Sequence, residues 1–316
     1  MPTITVTGAA GFIGSTLVHK LNLFGFDDLI LVDSLKQFSK TWNYSLKNIK
    51  YRHIFEINDY VKYISQLNNH PQFTFHIGAI SDTMGHPSYD YFKYNYEYSK
   101  ILLDKFSSYL SKISKNAYFI NVSSSAVYGN GNGPLNAYAM CKLMIDNYIL
   151  QNLSQFNNQI ASCRFFNVYG LNEFHKGKMA SMIFKLINEF LDNNSFTIFT
   201  PGDQKRDFIY VDDVVNNLIQ IFPLLNNGTS KYDKLINPII DFGTGTSHTF
   251  NEIIALIQKS AGINESTINY IQMPDNIRRT YQFLTQSSEH SEYKLTIQYP
   301  LECGVSHLYH LLKYTT

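Results

Sequence analysis

A glycine run close to the amino end constrains the fold of this chain more than any other feature. Thr3–Thr7 reads as a short buried strand. Gly8-Ala-Ala-Gly11-Phe12-Ile13-Gly14 follows and opens an amphipathic helix that runs to about Phe24. A strand that enters a helix through such a run is the first half of a βαβ unit. Gly8 permits a tight turn. Gly11 lets backbone N–H groups approach a pyrophosphate at the helix N-terminus, and Gly14 lets helix and strand pack closely. The spacing is Gly-x-x-Gly-x-x-Gly, not the commoner Gly-x-Gly-x-x-Gly.

Strands and helices then alternate. Leu29–Val32 is a second strand and ends in Asp33, 19 residues past Gly14, where a carboxylate can bond an adenosine ribose. Lys36 and Lys40 follow, and either could meet a 2′-phosphate as a point charge. Tyr51–Phe55 and Phe73–His76 read as the third and fourth strands, with a helix from about Asp59 to Leu67 between them. The small residues in Ile77-Gly78-Ala79-Ile80-Ser81 let the backbone lie against a dinucleotide. A long helix from about Tyr89 to Ser111 contains Asn95, and Ala117–Val122 and Ile160–Phe165 are the fifth and sixth strands. This alternation predicts an α/β fold, a Rossmann-like doubly wound parallel sheet with right-handed crossovers. Ligands of such sheets sit at the carboxyl ends of the strands, where Gly8, Asp33, Gly78, Ser124 and Asn167 all fall.

The chemistry is concentrated between Ser123 and Lys142. Ser123-Ser124-Ser125-Ala-Val-Tyr-Gly precedes a short Gly/Asn-rich loop and a helix over Asn136–Leu153. Tyr138 and Lys142 are four apart, so both side chains share one face of that helix. A nearby ammonium can lower the pKa of the Tyr138 phenol, which can then exchange a proton with a substrate hydroxyl. Ser124 can hydrogen-bond the same oxygen.

Composition narrows the alternatives. The net charge is +1, from 26 basic and 25 acidic residues, with no basic block to suggest nucleic acid. Cys141, Cys163 and Cys303 have no metal-ligand spacing and suggest no disulfide framework, so no metal is expected. No apolar run reaches the roughly 18 residues a membrane span needs. With no signal-peptide core before Ile4, a reducing cytoplasm is the expected setting.

Beyond Phe165 the pattern loosens. A polar loop with His175-Lys-Gly-Lys-Met-Ala-Ser181 leads into a helix from about Met179 to Leu191, and Phe250–Ala261 is helical. Residues 1–165, with returns near 209–245 and 282–298, are expected to form a dinucleotide-binding domain. Residues 166–208, 246–281 and 299–316 are expected to form a smaller, discontinuous α/β substrate domain.

With these residues in view, the chain resembles the extended short-chain dehydrogenase/reductase family over nearly its whole length. The glycine run, the serine cluster, Tyr-x-x-x-Lys, Arg206-Asp-Phe-Ile-Tyr-Val211 and Gly243-Thr-Gly245 match in order. Within that family it is most similar to the ADP-heptose 6-epimerases. The pieces that say so are Asn95-Tyr-Glu-Tyr-Ser-Lys100, Phe166-Asn-Val-Tyr-Gly170, His175–Ser181 and Tyr281-Gln-Phe-Leu-Thr-Gln286. The resemblance implies transient oxidation of C6 of an ADP-linked heptose by bound NADP, with NAD possible. It places proton transfer on Ser124, Tyr138, Lys142 and Lys176. It places cofactor contacts on Phe12, Ile13, Asp33, Ser34, Lys40, Ile77 to Ser81, Asn95, Lys142, Val168 and Lys176, beside the glycines. Substrate contacts fall on Asn167, Lys178, Lys185, Arg206 and Tyr281. It also implies a homo-oligomer, a pentamer in this group.

Three departures lie near the sugar or nucleotide. The loop between Ser124 and Tyr138 is shorter than the family's, Lys178 and Lys185 stand where a heptose epimerase of this group carries Ser and His, and Phe199–Gln204 is shortened. Two other readings stay open beside the main one. A nucleotide-sugar 4-epimerase would use the same three residues, and a non-catalytic dinucleotide-binding scaffold would not need them intact. A dehydratase is disfavoured, because Ser125 and Ala126 occupy the places of its usual Asp-Glu pair.

Overall fold

The turn at Gly8 determines how the amino-terminal half is assembled. The computed structural model describes the chain apart from residues 67–69, 83–84, 113–116, 222–236, 279, 289–292 and 316. Strand β1 (Ile4–Thr7) is buried along its length, and Gly8 turns the chain with a left-handed φ of 68°. Helix α1 (Phe12–Leu23) returns across the sheet and buries Leu17, Val18 and Leu21, worth about 1.5–3 kcal/mol for each large apolar side chain taken from water. The units that follow are β2 (Leu29–Val32), α2 (Leu35–Ser45), β3 (His53–Phe55), α3 (Ile57–Ile64), β4 (Phe73–His76), α4 (Ser88–Tyr91), α5 (Tyr98–Lys112), β5 (Tyr118–Ser124), α6 (Ala137–Gln151) and β6 (Ile160–Phe165).

The carboxyl-terminal half supplies β7 (Asn167–Tyr169), α7 (Met182–Asn193), β8 (Ser195–Phe199), β9 (Lys205–Tyr210), α8 (Val211–Ile221), β10 (Ile239–Phe242), β11 (Ser247–Thr249), α9 (Phe250–Ala261), β12 (Thr267–Ile271), α10 (Asp275–Arg278) and α11 (Leu301–Thr315). Among the described residues, a seven-stranded sheet runs β10-β6-β5-β4-β1-β2-β3, parallel throughout. Strand order reverses between β1 and β4, with Thr7 opposite both Val32 and His76. That reversal opens a crevice at the carboxyl ends of the strands.

One hydrophobic core joins the sheet to α1 and α8 through Leu17, Leu21, Val214 and Leu218. A second covers the other face with Leu103, Phe106 and Ile149. A third, separate core is built from Phe184, Ile187, Phe196, Phe250, Ile254 and Leu308. Small sheets flank it, β11-β9-β7 and β12-β8.

Several elements differ in extent from expectation. The helix expected over Tyr89–Ser111 is interrupted by a π-helical turn, Phe92–Glu97, that contains Asn95. The fifth strand continues to Ser124, which makes that serine its last residue. The third strand begins at His53, beyond Arg52, whose guanidinium is turned to Asp28 at 2.6 Å. The helix expected from Asp59 spans Ile57–Ile64, and residue 67 lies outside the described residues. Leu171–Met179 forms tight 3₁₀ turns kinked at Gly177, so α7 starts only at Met182, with Ser181 as its cap.

The glycine packing can be tested directly. A Cβ on Gly14 would lie 2.0 Å from the Gly8 carbonyl oxygen, with only backbone there to give way. Gly14→Ala is expected to lower the unfolding free energy by roughly 1–3 kcal/mol, as overpacking does. Urea denaturation measures this, and an unchanged midpoint and slope would refute the close approach.

Candidate active site

A cavity of about 1300 Å³ opens at the strand-order reversal and extends between the sheet and the third core. Small-molecule sites usually occupy roughly 300–1,000 Å³, so there is room for a dinucleotide beside a second ligand. Glycines form its floor. A Cβ on Gly8 would lie 2.7 Å from Gly78 Cα, and one on Gly78 would lie 2.9 Å from Gly8 N. No side chain caps the N-terminus of α1 behind Gly11, which leaves its first amides for an anion.

Asp33 joins this floor to β2. Its carboxylate accepts the N–H groups of Ala10 and Ser34 at 3.0 and 2.8 Å. Burial raises its pKa to about 6, against the pull of those two bonds, and Glu56 pushes the same way as burial. Ser34 caps α2. Lys40, expected at a 2′-phosphate, lines the cavity and donates to the His175 carbonyl at 2.7 Å. These residues fit a bound dinucleotide, with the diphosphate at α1 and the adenosine ribose at Asp33.

A buried polar chain supports the opposite wall. The Gly78 N–H donates to Thr7 Oγ1 at 3.2 Å, so the Thr7 proton is free to go to His76 Nδ1 at 2.7 Å. His76 Nε2 then donates to Ser99 Oγ at 2.8 Å, and Ser99 donates to the Asn95 carbonyl at 2.9 Å. This order of donors assigns the His76 proton to Nε2. Asn95 does not line the cavity. Its amide pairs with both the N–H and the C=O of Ile80, at 2.8 and 2.9 Å, and so shapes the Ile77–Ser81 loop that does.

Ser124, Tyr138 and Lys142 meet at the end of β5. Asn136 caps α6 through the Ala139 N–H at 2.9 Å, which sets the first turn carrying Tyr138. Lys142 is buried, donates to the Val122 carbonyl at 2.6 Å and lies 5.9 Å from the Tyr138 ring centroid. Burial brings its pKa down to about 8, with Asp146 and Cys141 pulling the other way. The Tyr138 phenol departs from expectation. Burial raises its pKa, a hydrogen bond with Ser124 opposes that, and Lys142 is not among the causes. The Lys142 ammonium is turned to the carbonyl rather than to the phenol.

Behind these residues Asp146, wholly buried, accepts from Ser123 at 2.9 Å, Ser162 at 2.7 Å and Arg164 at 2.8 Å. Arg164 continues to the Tyr128 hydroxyl, and Tyr128 donates to Asp241.

Lys176 enters from the kinked segment before α7. Its nitrogen is 2.9 Å from Glu173 Oε2 and lies over the Phe12 ring at 4.9 Å. At the far end Arg206 is buried, with its guanidinium 5.0 Å from the Tyr281 ring centroid. Burial lowers the Arg206 pKa, and no carboxylate pairs with it among the described residues. A buried arginine of that kind suits a diphosphate. Lys185 lines the same end, its pKa lowered by burial. Asn167 accepts from Thr285 at 2.7 Å, and Val168 lines the cavity beside it.

Every residue singled out for proton transfer, cofactor or substrate lines this cavity except Lys36, Asn95 and Lys178. Lys178 is exposed outside it, and only its carbonyl takes part, receiving Lys185 at 3.4 Å. Glu56, Glu173, His76 and Asp146 were not singled out. Asp146 is four past Lys142 and Glu173 three before Lys176, spacings that put each pair on one helical face. His76 had only its strand-end position to mark it. Among the described residues no cluster of metal-ligating side chains occurs, and no helix is long and apolar enough to cross a membrane.

Comparison with known proteins agrees with this geometry. The model of the NAD dependent epimerase/dehydratase family matches residues 4–233. The chain is 38% identical over 300 residues to an ADP-L-glycero-D-manno-heptose-6-epimerase of Brachyspira hyodysenteriae, covering 90% of this chain and 88% of that protein. The crystal structure of the Helicobacter pylori ADP-L-glycero-D-manno-heptose-6-epimerase superposes with a TM-score of 0.76 at 25% identity, over 100% of this chain and 97% of that one. A UDP-N-acetylglucosamine 4-epimerase from Methanobrevibacter ruminantium shares the fold, with a TM-score of 0.80 at 21% identity over 100% and 99% of the two chains.

The polar chain around His76 predicts a pH dependence. Burial lowers the His76 pKa from 6.5 to about 3, helped by Lys142. Between those values the unfolded chain binds the proton and the folded one does not, so acid favours unfolding and stability falls as pH drops through the window. His76→Gln should remove close to one proton from the slope of unfolding free energy against pH between about 6 and 4. Urea titrations at several pH values measure it, and an unchanged slope would mean that His76 titrates normally in the fold.

Proposed function

The chain belongs to the NAD dependent epimerase/dehydratase family, and we propose that it inverts C6 of ADP-glycero-manno-heptose with a tightly bound NADP. One observation carries the proposal: Tyr138 and Lys176, both able to move a proton, enter one cavity from different elements, and its floor is a dinucleotide cradle. The similarity to the Brachyspira protein supports the choice of sugar. A homo-oligomer, a pentamer by resemblance, and a cytoplasmic setting belong to the same proposal.

In this reading Ser124 and Tyr138 meet the hydroxyl of the carbon to be inverted. When bound, the dinucleotide supplies reversible oxidation of that carbon. Tyr138 exchanges the hydroxyl proton on one face, with the Lys142 ammonium beside it. Lys176 serves the oxygen when the ketone presents its other face. Arg206 and Lys185 hold the diphosphate, and Tyr281 packs against Arg206 at that end. A dehydrogenase with net turnover of cofactor needs one acid–base group at the carbon, whereas inversion benefits from one on each side.

Tyr138→Phe keeps the ring and removes the phenolic proton. Turnover of ADP-glycero-manno-heptose is expected to fall by roughly 10²–10⁴, the usual share of general acid–base catalysis. Dinucleotide retention and folding are expected to be unchanged. Near-normal turnover would overturn the assignment. Inversion of C4 in another nucleotide sugar, with this heptose untouched, would replace the substrate and keep the reaction class.

The cofactor depends on the balance at the ribose end. Asp33 accepts well from a 2′-hydroxyl and repels a 2′-phosphate, and Glu56 nearby adds to that repulsion, which favours NAD. Lys40 can supply the compensating charge for NADP by leaving the His175 carbonyl. Lys40→Ala is expected to weaken NADP binding by about tenfold or more while changing NAD binding little, as loss of one phosphate contact does. Calorimetry with both dinucleotides decides it, and equal losses would assign NAD.

A further inference from the structure

Glu173 lies in the same kinked segment as Lys176, and its side chain is wholly buried. Four donors converge on it. Lys176 Nζ and the Ser181 N–H reach Oε2 at 2.9 and 2.6 Å, and the Ser181 hydroxyl and the Gly170 N–H reach Oε1 at 2.7 and 3.2 Å. A group that accepts at both oxygens has the pattern of an ionised carboxylate. Three of the donors belong to the frame: Gly170 follows β7, and Ser181 caps α7. The fourth is the side chain placed above at the second face of the sugar.

A lysine stem is long and flexible, so its nitrogen stays where its contacts hold it. Here the contacts are the Glu173 carboxylate and the Phe12 ring at the start of α1. The other charged groups near this loop are cationic, Lys40 from α2 and Lys185 from α7, and His175 is neutral because burial lowers its pKa to about 4. No other carboxylate pairs with Lys176 among the described residues.

We infer that Glu173 is the positioning residue for the second proton transfer, holding the Lys176 ammonium against α1 at the cavity wall. This rests on the reading of Lys176 as a proton-transfer group. In the step that Lys176 serves, one N–H proton passes to the oxygen of the carbon being inverted. That leaves a neutral amine, and Glu173 remains a carboxylate. Before the next turnover in the same direction the amine regains its proton from solvent, and Tyr138 releases to solvent the one it took. In the reverse reaction the amine takes up the hydroxyl proton of the other epimer.

Lys176→Met, Glu173→Gln, the double variant and Glu173→Asp test the inference on ADP-glycero-manno-heptose. The readouts are kcat, KM and the dinucleotide retained through purification. Glu173→Gln is expected to lower kcat by about tenfold or more with KM nearly unchanged, the signature of an interaction needed in the transition state. It should retain its dinucleotide, and Glu173→Asp should recover part of the rate. The double variant should be no slower than Lys176→Met, because the two residues act as one unit. An unchanged kcat in Glu173→Gln, or losses that multiply in the double variant, would overturn the inference while a slow Lys176→Met left the functional reading intact. A wild-type kcat in Lys176→Met would overturn that reading and this inference together. Should Glu173→Gln fail to fold, Ser181→Ala removes one hydroxyl donor and keeps the charge. A smaller kcat loss is then expected, absent in the Lys176→Met background, and an equal loss there would overturn the inference.

Discussion

Direct contact of backbone with backbone at Gly8, Gly14 and Gly78 is the constraint on which the rest of the molecule depends. The three glycines come from the turn after β1, from α1 and from the loop after β4, and a single methyl on any of them would enter space held by main-chain atoms. That proximity draws α1 onto the sheet and exposes its first amides. It also keeps the crevice at the strand reversal open down to the backbone. The large cavity follows from it, because the ends of β5 and β7 open into the same crevice.

Around this crevice the structure buries polar groups at three hubs. His76 connects β1, β4 and α5, Asp146 connects α6 with β5 and β6, and Glu173 connects the Lys176 loop with α7. Glu173 meets Lys176 directly, His76 reaches Gly78 through Thr7, and Asp146 holds Ser123, the neighbour of Ser124. Such hubs are poor sources of net stability, since desolvation offsets much of what their bonds return. Their value is geometric. A satisfied buried network has few alternative arrangements, and breaking one partner leaves another uncompensated. The end of β5 that carries Ser124 is thus held from behind by Asp146, while Tyr138 and Lys142 face the cavity from the same helix.

How much of this the chain discloses depends on the range of the interaction. Local patterns were legible. The strand–glycine–helix passage, the alternation of strands and helices, the four-residue spacing of Tyr138 and Lys142 and the carboxyl-end placement of Ser124 all follow from periodicity and turn chemistry. Non-local pairings were not. Lys40 is 135 residues from His175, and nothing in the sequence ties its nitrogen to that carbonyl. Asn95 lies in a π-helical turn and its amide pairs with the backbone of Ile80, a pairing across 15 residues that the sequence, which offers Asn95 as a cofactor contact, does not show. Lys178 sits in the right motif but is exposed beyond the turn at Gly177; the glycine announces the turn, not that Lys178 is left outside the cavity. The direction of the Tyr138 shift failed for a similar reason: helical spacing brings Lys142 near, but the Val122 carbonyl decides where its ammonium points.

The central claim is inversion by transient oxidation within one cavity, with the same hydrogen leaving and rejoining the carbon. The most direct measurement uses ADP-glycero-manno-heptose carrying deuterium at C6, incubated with the purified protein in ordinary water and followed by NMR. The account predicts an equilibrium mixture of the two C6 epimers, both retaining the deuterium. Loss of the label to solvent during inversion would contradict it, because the carbon would then have been deprotonated rather than oxidised.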